Sequence, residues 1–172
     1  MRILRGSLKG LLIKAPDLPN LRPTQGKVRE ALWSILDFEE KGTFVDLFAG
    51  SGLVAVEACS TGYAPVFAVE KDPVLCKNLA AVQKGHSLPL TVFREDVLHR
   101  LGAWAGDGRA FPLVFADPPY DYDRLEKLLD QTLAVLAPGG TFILESQRPF
   151  RLEDRAEKIY TYGKTVLAFF RR

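Results

Sequence analysis

Short apolar runs alternate with stretches of helical periodicity along most of the chain. Thr43–Leu47, Val66–Val69, Leu90–Phe93, Leu113–Ala116 and Thr141–Leu144 have the dense apolar pattern of strands covered on both faces. Between them the spacing predicts helices near 53–61, 73–84, 97–103 and 122–136. Asp72 before Pro73 is a helix start, an N-cap followed by proline at the first helical position. Pro138-Gly139-Gly140 reads as a stop and turn. Upstream, Val28, Ala31, Leu32, Ile35 and Leu36 recur at helical spacing after Pro23-Thr24, which predicts a helix over about 25–38. Residues 1–14 alternate loosely around Gly6 and Gly10, as a basic β-hairpin or extended arm would. Lys158–Tyr162, Gly163 and Thr165–Phe170 read as a hairpin closing the sheet edge. The alternation implies an open, mostly parallel α/β sheet that binds ligands beyond the carboxyl ends of its strands.

Composition narrows the class. The chain has 172 residues, 47% hydrophobic and 26% charged, which suits one domain over 1–172 with a sizeable core and excludes intrinsic disorder. Residues 1–24 read as a basic appendage to it. The net charge of +2 predicts no partner, but it is unevenly spread. Residues 1–30 carry +5 and residues 148–172 carry +4, leaving −7 for 31–147. Basic ends around an acidic centre fit an anionic macromolecule at the edges and a cationic small molecule in the middle. Cys59 and Cys76 form no CxxC, so neither a metal site nor a disulfide framework is expected. No apolar run approaches the roughly 20 residues that span a bilayer, and the N-terminus lacks a signal peptide's apolar stretch. A cytoplasmic location without membrane association is the expectation.

Two loops carry chemistry. Asp46-Leu47-Phe48-Ala49-Gly50-Ser51-Gly52 runs from the first strand into a helix. Gly50 and Gly52 let backbone approach a ligand, and Asp46 at the strand end accepts hydrogen bonds. Glu70, at the tip of the second strand, is placed to hold the two hydroxyls of a ribose. Asp96, after the third strand, is placed to reach an adenine amino group or to cap a helix. Phe48 is a candidate to pack beside the ligand. These residues predict a nucleoside cofactor without naming it, because Gly50-x-Gly52-x-x-Ala55 also fits a dinucleotide site.

The second loop, Asp117-Pro118-Pro119-Tyr120, follows the fourth strand. Two prolines fix two φ angles and remove two N–H donors, leaving a stiff loop of carbonyls and one carboxylate. Such a surface suits a nucleobase amine, which brings two donors. Hydrogen bonds to Asp117 and to the Pro118 carbonyl would hold that amine with its lone pair aimed at an electrophile. Asp117 would also stabilise the positive charge developing on nitrogen. Tyr120 offers a stacking face worth about 1–3 kcal/mol.

Asp117–Tyr120 resembles the Asp/Asn-Pro-Pro-aromatic motif of class I S-adenosylmethionine-dependent amino-methyltransferases, and Asp46–Gly52 resembles their cofactor loop. Arg22-Pro23-Thr24, Val28-Arg29-Glu30-Ala31-Leu32, Val69-Glu70-Lys71-Asp72 and the two loops together resemble the RsmD family in order and spacing. The likeness extends to Tyr162-Gly163-Lys164-Thr165. That family methylates the exocyclic N2 of one guanine in 16S ribosomal RNA. The resemblance implies a Rossmann-like class I methyltransferase fold, with seven strands, helices on both faces and a C-terminal antiparallel hairpin. It implies S-adenosylmethionine as methyl donor, S-adenosylhomocysteine as product, and no metal. Asp117, Pro118 and Tyr120 become catalytic, and Asp46, Phe48, Gly50, Gly52, Glu70 and Asp96 bind the cofactor. Arg2, Arg5, Lys9, Arg22, Thr24 and Arg29 are the RNA-binding candidates, with Arg22 and Arg29 alternatively shaping the pocket rim. The implied partner is 16S rRNA within an assembling or assembled small ribosomal subunit, and the enzyme is expected to be a monomer. Leu53 departs from the small residue expected after Gly52, with repacking of the helix away from the cofactor as the expected effect. The alternatives are a DNA or RNA adenine-N6 or cytosine-N4 amino-methyltransferase, an NAD-dependent oxidoreductase, and a non-catalytic RNA-binding protein.

Overall fold

A computed structural model describes residues 1–14 and 26–172. Its elements are α1 (Gly26–Leu36), β1 (Phe44–Leu47), α2 (Leu53–Ser60), β2 (Val66–Glu70), α3 (Pro73–Gly85), β3 (Leu90–Arg94), α4 (Val97–Gly106), β4 (Phe111–Ala116), α5 (Leu125–Ala134), β5 (Leu136–Gln147), a 3-10 turn (Glu153–Arg155), β6 (Lys158–Tyr162) and β7 (Thr165–Arg171). The seven strands form one sheet in the order β3-β2-β1-β4-β5-β7-β6. The pairs among β1–β5 are parallel, and β7 runs antiparallel between β5 and β6. This is the doubly wound sheet with a terminal hairpin that the apolar pattern implies. Strands β1 and β4 are buried nearly throughout because each face is covered. One face packs under the N-terminal hairpin, α1, α2 and α3, and the other under α4 and α5.

Two stretches differ from the sequence expectation. Pro138-Gly139-Gly140 does not precede a strand but lies inside β5, where it forms a bulge. The β4–β5 register jumps from Phe111↔Leu136 to Leu113↔Thr141 across it. Gly140 permits this, since a Cβ there would sit 2.9 Å from the carbonyl oxygens of Ala137 and Phe111. Helix α5 starts at Leu125 rather than 122, after the proline-fixed loop has turned. The N-cap at Asp72 holds: its Oδ1 accepts from the Val74 and Leu75 N–H groups at 2.8 and 3.1 Å.

The basic N-terminus is a docked hairpin, not a free arm. The Ile3 N–H donates to Leu11 O and the Ile13 N–H to Met1 O, at 2.9 and 2.8 Å, with both isoleucines buried in the core. Glu57 of α2 fixes it. This carboxylate is wholly buried and accepts from the Leu4 N–H at 2.8 Å, Arg29 Nη1 at 2.5 Å and Trp33 Nε1 at 2.6 Å. One side chain thereby joins the hairpin, α1 and α2. It also corrects the expectation for Arg29, a residue only 5% exposed, whose guanidinium is turned inward onto Glu57 instead of outward to a phosphate.

Breaking a buried ion pair by removing one partner costs about 3–5 kcal/mol, whereas an exposed pair is worth about 1 or less. Urea denaturation should therefore show Glu57→Ala losing about 3–5 kcal/mol. Arg5→Ala, which breaks the exposed Arg5–Asp37 pair, should stay within about 1 kcal/mol of the parent.

Candidate active site

The carboxyl ends of β1–β4 open into a cavity of about 800 Å³. Its walls include Asp46, Phe48, Gly50, Glu70, Asp96, Asp117, Pro118 and Tyr120, so the two loops singled out from the sequence meet in one place. Gly52 lies immediately behind it as the first turn of α2 begins. It has φ +77°, and a Cβ there would fall on the buried Leu79 side chain of α3. The glycine thus lets α2 and α3 close together under the loop. Leu53 departs from expectation: it belongs to the cavity wall and does not stay clear of it.

The loop is held by its own sheet. The Ala49 N–H donates to Val69 O at 3.0 Å, and the Gly50 N–H donates to Glu70 Oε2 at 2.8 Å. Glu70 Oε1 takes the Lys71 and Asp72 N–H groups at 2.8 and 2.9 Å, which locks the carboxylate at the β2 tip. Asp96 caps α4 through Oδ1, which accepts from Leu98 and His99 N–H groups at 3.0 and 3.3 Å. Its Oδ2 stands 3.7 Å from Arg124. Phe48 packs edge-on against Tyr122 with ring centroids 5.1 Å apart, and Arg124 lies 5.4 Å from the Tyr122 ring centre. Tyr122 and Arg124 are wall residues that the sequence reading missed. They lie just past the proline motif, where only the turn after Pro119 brings them back (Tyr122 N–H to Pro119 O, 2.9 Å).

Pro118 is buried, and no N–H among the described residues donates to its carbonyl. Tyr120 is about half exposed at the mouth. Asp117 follows directly on β4 and reaches the cavity wall. Asp46 is 2% exposed, and its Oδ2 has no hydrogen-bond partner among the described residues. Burial, which a backbone hydrogen bond from Ala55 only partly offsets, holds its carboxyl well above the ordinary carboxylate range, with the Asp117 and Glu70 charges adding to the effect. Glu145, missed by the sequence reading, is 3% exposed and lies next to Asp117 on the neighbouring strand. Burial, reinforced by the Asp117 charge, pushes its carboxyl up to about 9.

Among the described residues, seven acidic ones line the cavity (Asp46, Glu70, Asp72, Glu95, Asp96, Asp117 and Asp121) against Lys71 and Arg124. Such walls favour a ligand that is cationic and rich in donors. They disfavour a dinucleotide, whose pyrophosphate needs free N–H groups, since this loop gives the Gly50 N–H to Glu70 and the Ala49 N–H to Val69.

The basic candidates fall elsewhere. Met1 Sδ lies 3.9 Å from Ser51 Oγ, so the open end of the hairpin is near the glycine loop, but Arg2 Nη1 donates to Gly10 O at 3.3 Å, toward the turn. The hairpin turn docks on Ser60 at the far end of α2, about 12 Å away for eight helical residues. Arg5 and Lys9 go with that turn, and Arg5 is tied to Asp37 and Ser34 at 2.5 and 2.7 Å. Arg22 and Thr24 lie outside the described residues.

The family described as Conserved hypothetical protein 95 matches residues 1–171. A relative named Ribosomal RNA small subunit methyltransferase D, from Escherichia coli K12, is 33% identical over 149 residues, 81% of this chain and 68% of its own. The chain belongs to the RsmD family. Another relative, YlbH of Bacillus subtilis strain 168, is 31% identical over 184 residues, 100% of this chain and 99% of its own. Among solved structures, a hypothetical protein of Thermus thermophilus, TTHA0928, superposes with TM-score 0.88 at 30% identity, over 99% of this chain and 98% of its own. The fold is that of class I methyltransferases: the Thermus thermophilus 16S rRNA N2 G1207 methyltransferase, solved with AdoMet and guanosine, superposes with TM-score 0.73 over 96% of this RsmD-family chain and 46% of its own, at 21% identity.

A methyl group added at Gly52 has nowhere to go, unlike one at Gly85, where open space surrounds the helix. Thermal unfolding should show Gly52→Ala losing about 1–3 kcal/mol. Gly85→Ala should be neutral or gain up to about 1 kcal/mol.

Proposed function

We propose that this protein transfers a methyl group from S-adenosylmethionine to the exocyclic N2 amine of a guanine in 16S rRNA of the small ribosomal subunit. The observation that carries the reading is the pairing of Asp117 with the Pro118 carbonyl, which accepts no N–H among the described residues, on the wall of a carboxylate-lined cavity. Family membership supports RNA as the substrate in preference to DNA.

The cavity fits the cofactor. Its volume lies within the usual range of small-molecule sites, and Asp46 supplies a buried carboxyl oxygen that lacks a donor among the described residues. The assignments are Glu70 to the ribose hydroxyls, Asp96 Oδ2 to the adenine side, Phe48 to the methionine portion, and Asp46, Gly50 and Gly52 to the loop beneath. When bound, S-adenosylmethionine supplies an electrophilic methyl group whose bonding pair stays with sulfur as the new C–N bond forms.

The chain's own residues do the rest by positioning and electrostatics. Asp117 and the Pro118 carbonyl each accept one N–H of the guanine amine, drawing its lone pair out of conjugation and toward the methyl group. Tyr120 stacks on the base, which must leave its helix to enter. The Asp117 carboxylate faces the positive charge that grows on nitrogen, and the surplus proton departs to water through the open mouth. Of the basic candidates, Arg2 turns its guanidinium onto Gly10 O at 3.3 Å, and Arg29 is committed to Glu57.

Asp117→Ala should lower kcat by about 100-fold or more. Titration calorimetry should find S-adenosylmethionine affinity within a few-fold of the parent and no heat with NAD. Equal loss of turnover and cofactor affinity, or binding of NAD alone, would overturn the assignment.

A further inference from the structure

Glu145 is the buried acid that the mechanism above leaves idle. It does not line the cavity, yet it follows Leu144, the register partner of Ala116, and so stands beside Asp117 on the adjacent strand. Its side chain shares the sheet face of Ile143, Phe115 and Asp46. Only 3% of it is exposed, and Oε2 has no hydrogen-bond partner among the described residues. An unsatisfied carboxylate oxygen in a dry core is costly, and two neighbouring carboxylates cannot both stay ionised there. A single proton on Oε2 removes both costs: it cancels one charge and turns an orphan acceptor into an O–H donor with Asp117 as its natural acceptor. Burial decides which member keeps it. Asp117 is open to the cavity, whereas Glu145 is closed off behind it.

We propose that Glu145 is a positioning residue for the methyl transfer: it carries a proton, donates it as a hydrogen bond to Asp117, and so holds Asp117 as the oriented, ionised acceptor of the substrate amine. This rests on the reading of Asp117 as that acceptor. The carboxyl of Glu145, raised to about 9 by burial and by the Asp117 charge, keeps its proton throughout the neutral range. From β4 the group that faces it is Asp117, with Asp46 of β1 one strand further on. From β7 it meets Leu167, its register partner, flanked by Val166; β6 beyond carries Tyr160 and Tyr162. On the same face α1 carries Arg29, which is engaged by Glu57. The nearest titrating partner among the described residues is therefore Asp117.

The test compares Glu145→Gln, which keeps a donor without the charge, with Glu145→Leu, which keeps only the bulk. With S-adenosylmethionine and unmethylated 16S rRNA at neutral pH, Glu145→Gln should retain kcat within about threefold. Glu145→Leu should lose about 10-fold or more, and both should keep the parent's KM for the cofactor. The parent's kcat should fall as pH passes about 9, where Glu145 loses its proton, and Glu145→Gln should lack that fall. Cofactor-free stability gives a second readout that needs no RNA. The folded parent keeps a proton that the unfolded chain releases, so its stability should drop from about pH 5 up to about 9. The melting temperature of Glu145→Gln relative to the parent should rise over the same window. Parallel melting curves, or Glu145→Gln as impaired as Glu145→Leu, or Glu145→Leu with full kcat, would each overturn the proposal. A parent that methylates no RNA would overturn the functional reading instead, while the melting curves would still decide whether Glu145 holds the proton.

Discussion

Three neighbouring strands end in acids on one face of the sheet: Asp46 on β1, Asp117 after β4 and Glu145 on β5. Asp46 and Glu145 are buried, each with a carboxyl oxygen that finds no partner among the described residues, and Asp117 between them opens into the cavity. Left alone, such a cluster must take up protons or admit a cation. The rest of the site follows from that constraint. In the proposed reaction the glycine loop places a positively charged ligand over Asp46, and the proline loop leaves a carbonyl and a carboxylate for a donor-bearing base. Acceptors this concentrated suit a reaction that creates positive charge on nitrogen, because the compensating field is in place before reaction begins.

The scaffold keeps this cluster in register. The acids belong to separate strands, so their spacing is set by sheet pairing rather than by any one loop. Glu57 does comparable work on the helical side, where it ties the hairpin to α1 and α2 and so closes the face under which Asp46 lies. A buried carboxylate with three donors is an asset here, whereas one with an orphan oxygen, as at Glu145, calls for a functional account. The contrast between the two is one of partners, since both are buried.

The strands, the doubly wound topology, the Asp72 cap and both chemical loops were legible because each is written in a short local pattern. Glu145 was not, since nothing about Phe142-Ile143-Leu144-Glu145 distinguishes a solvated strand end from a buried neighbour of Asp117, a residue 28 positions earlier. Only the register between β4 and β5 brings them together, and the bulge at Pro138–Gly140, read from sequence as a turn, shifts that register. Arg29 misled for a related reason. A basic residue in a basic segment resembles a phosphate contact until a buried acid from another helix claims it. The hairpin carries positive charge along its length, yet only its open end comes near the site.

In the proposed reaction the Asp117 carboxylate and the Pro118 carbonyl present an acceptor pair to one amine of guanine. The most direct measurement supplies methyl-labelled S-adenosylmethionine with small ribosomal subunits lacking the modification, then digests the 16S rRNA to nucleosides and locates the label. Label in N2-methylguanosine from a single site, absent with Asp117→Ala protein, is the predicted result. Label in an adenine or cytosine, or no transfer to the RNA by protein that binds the cofactor, would contradict it.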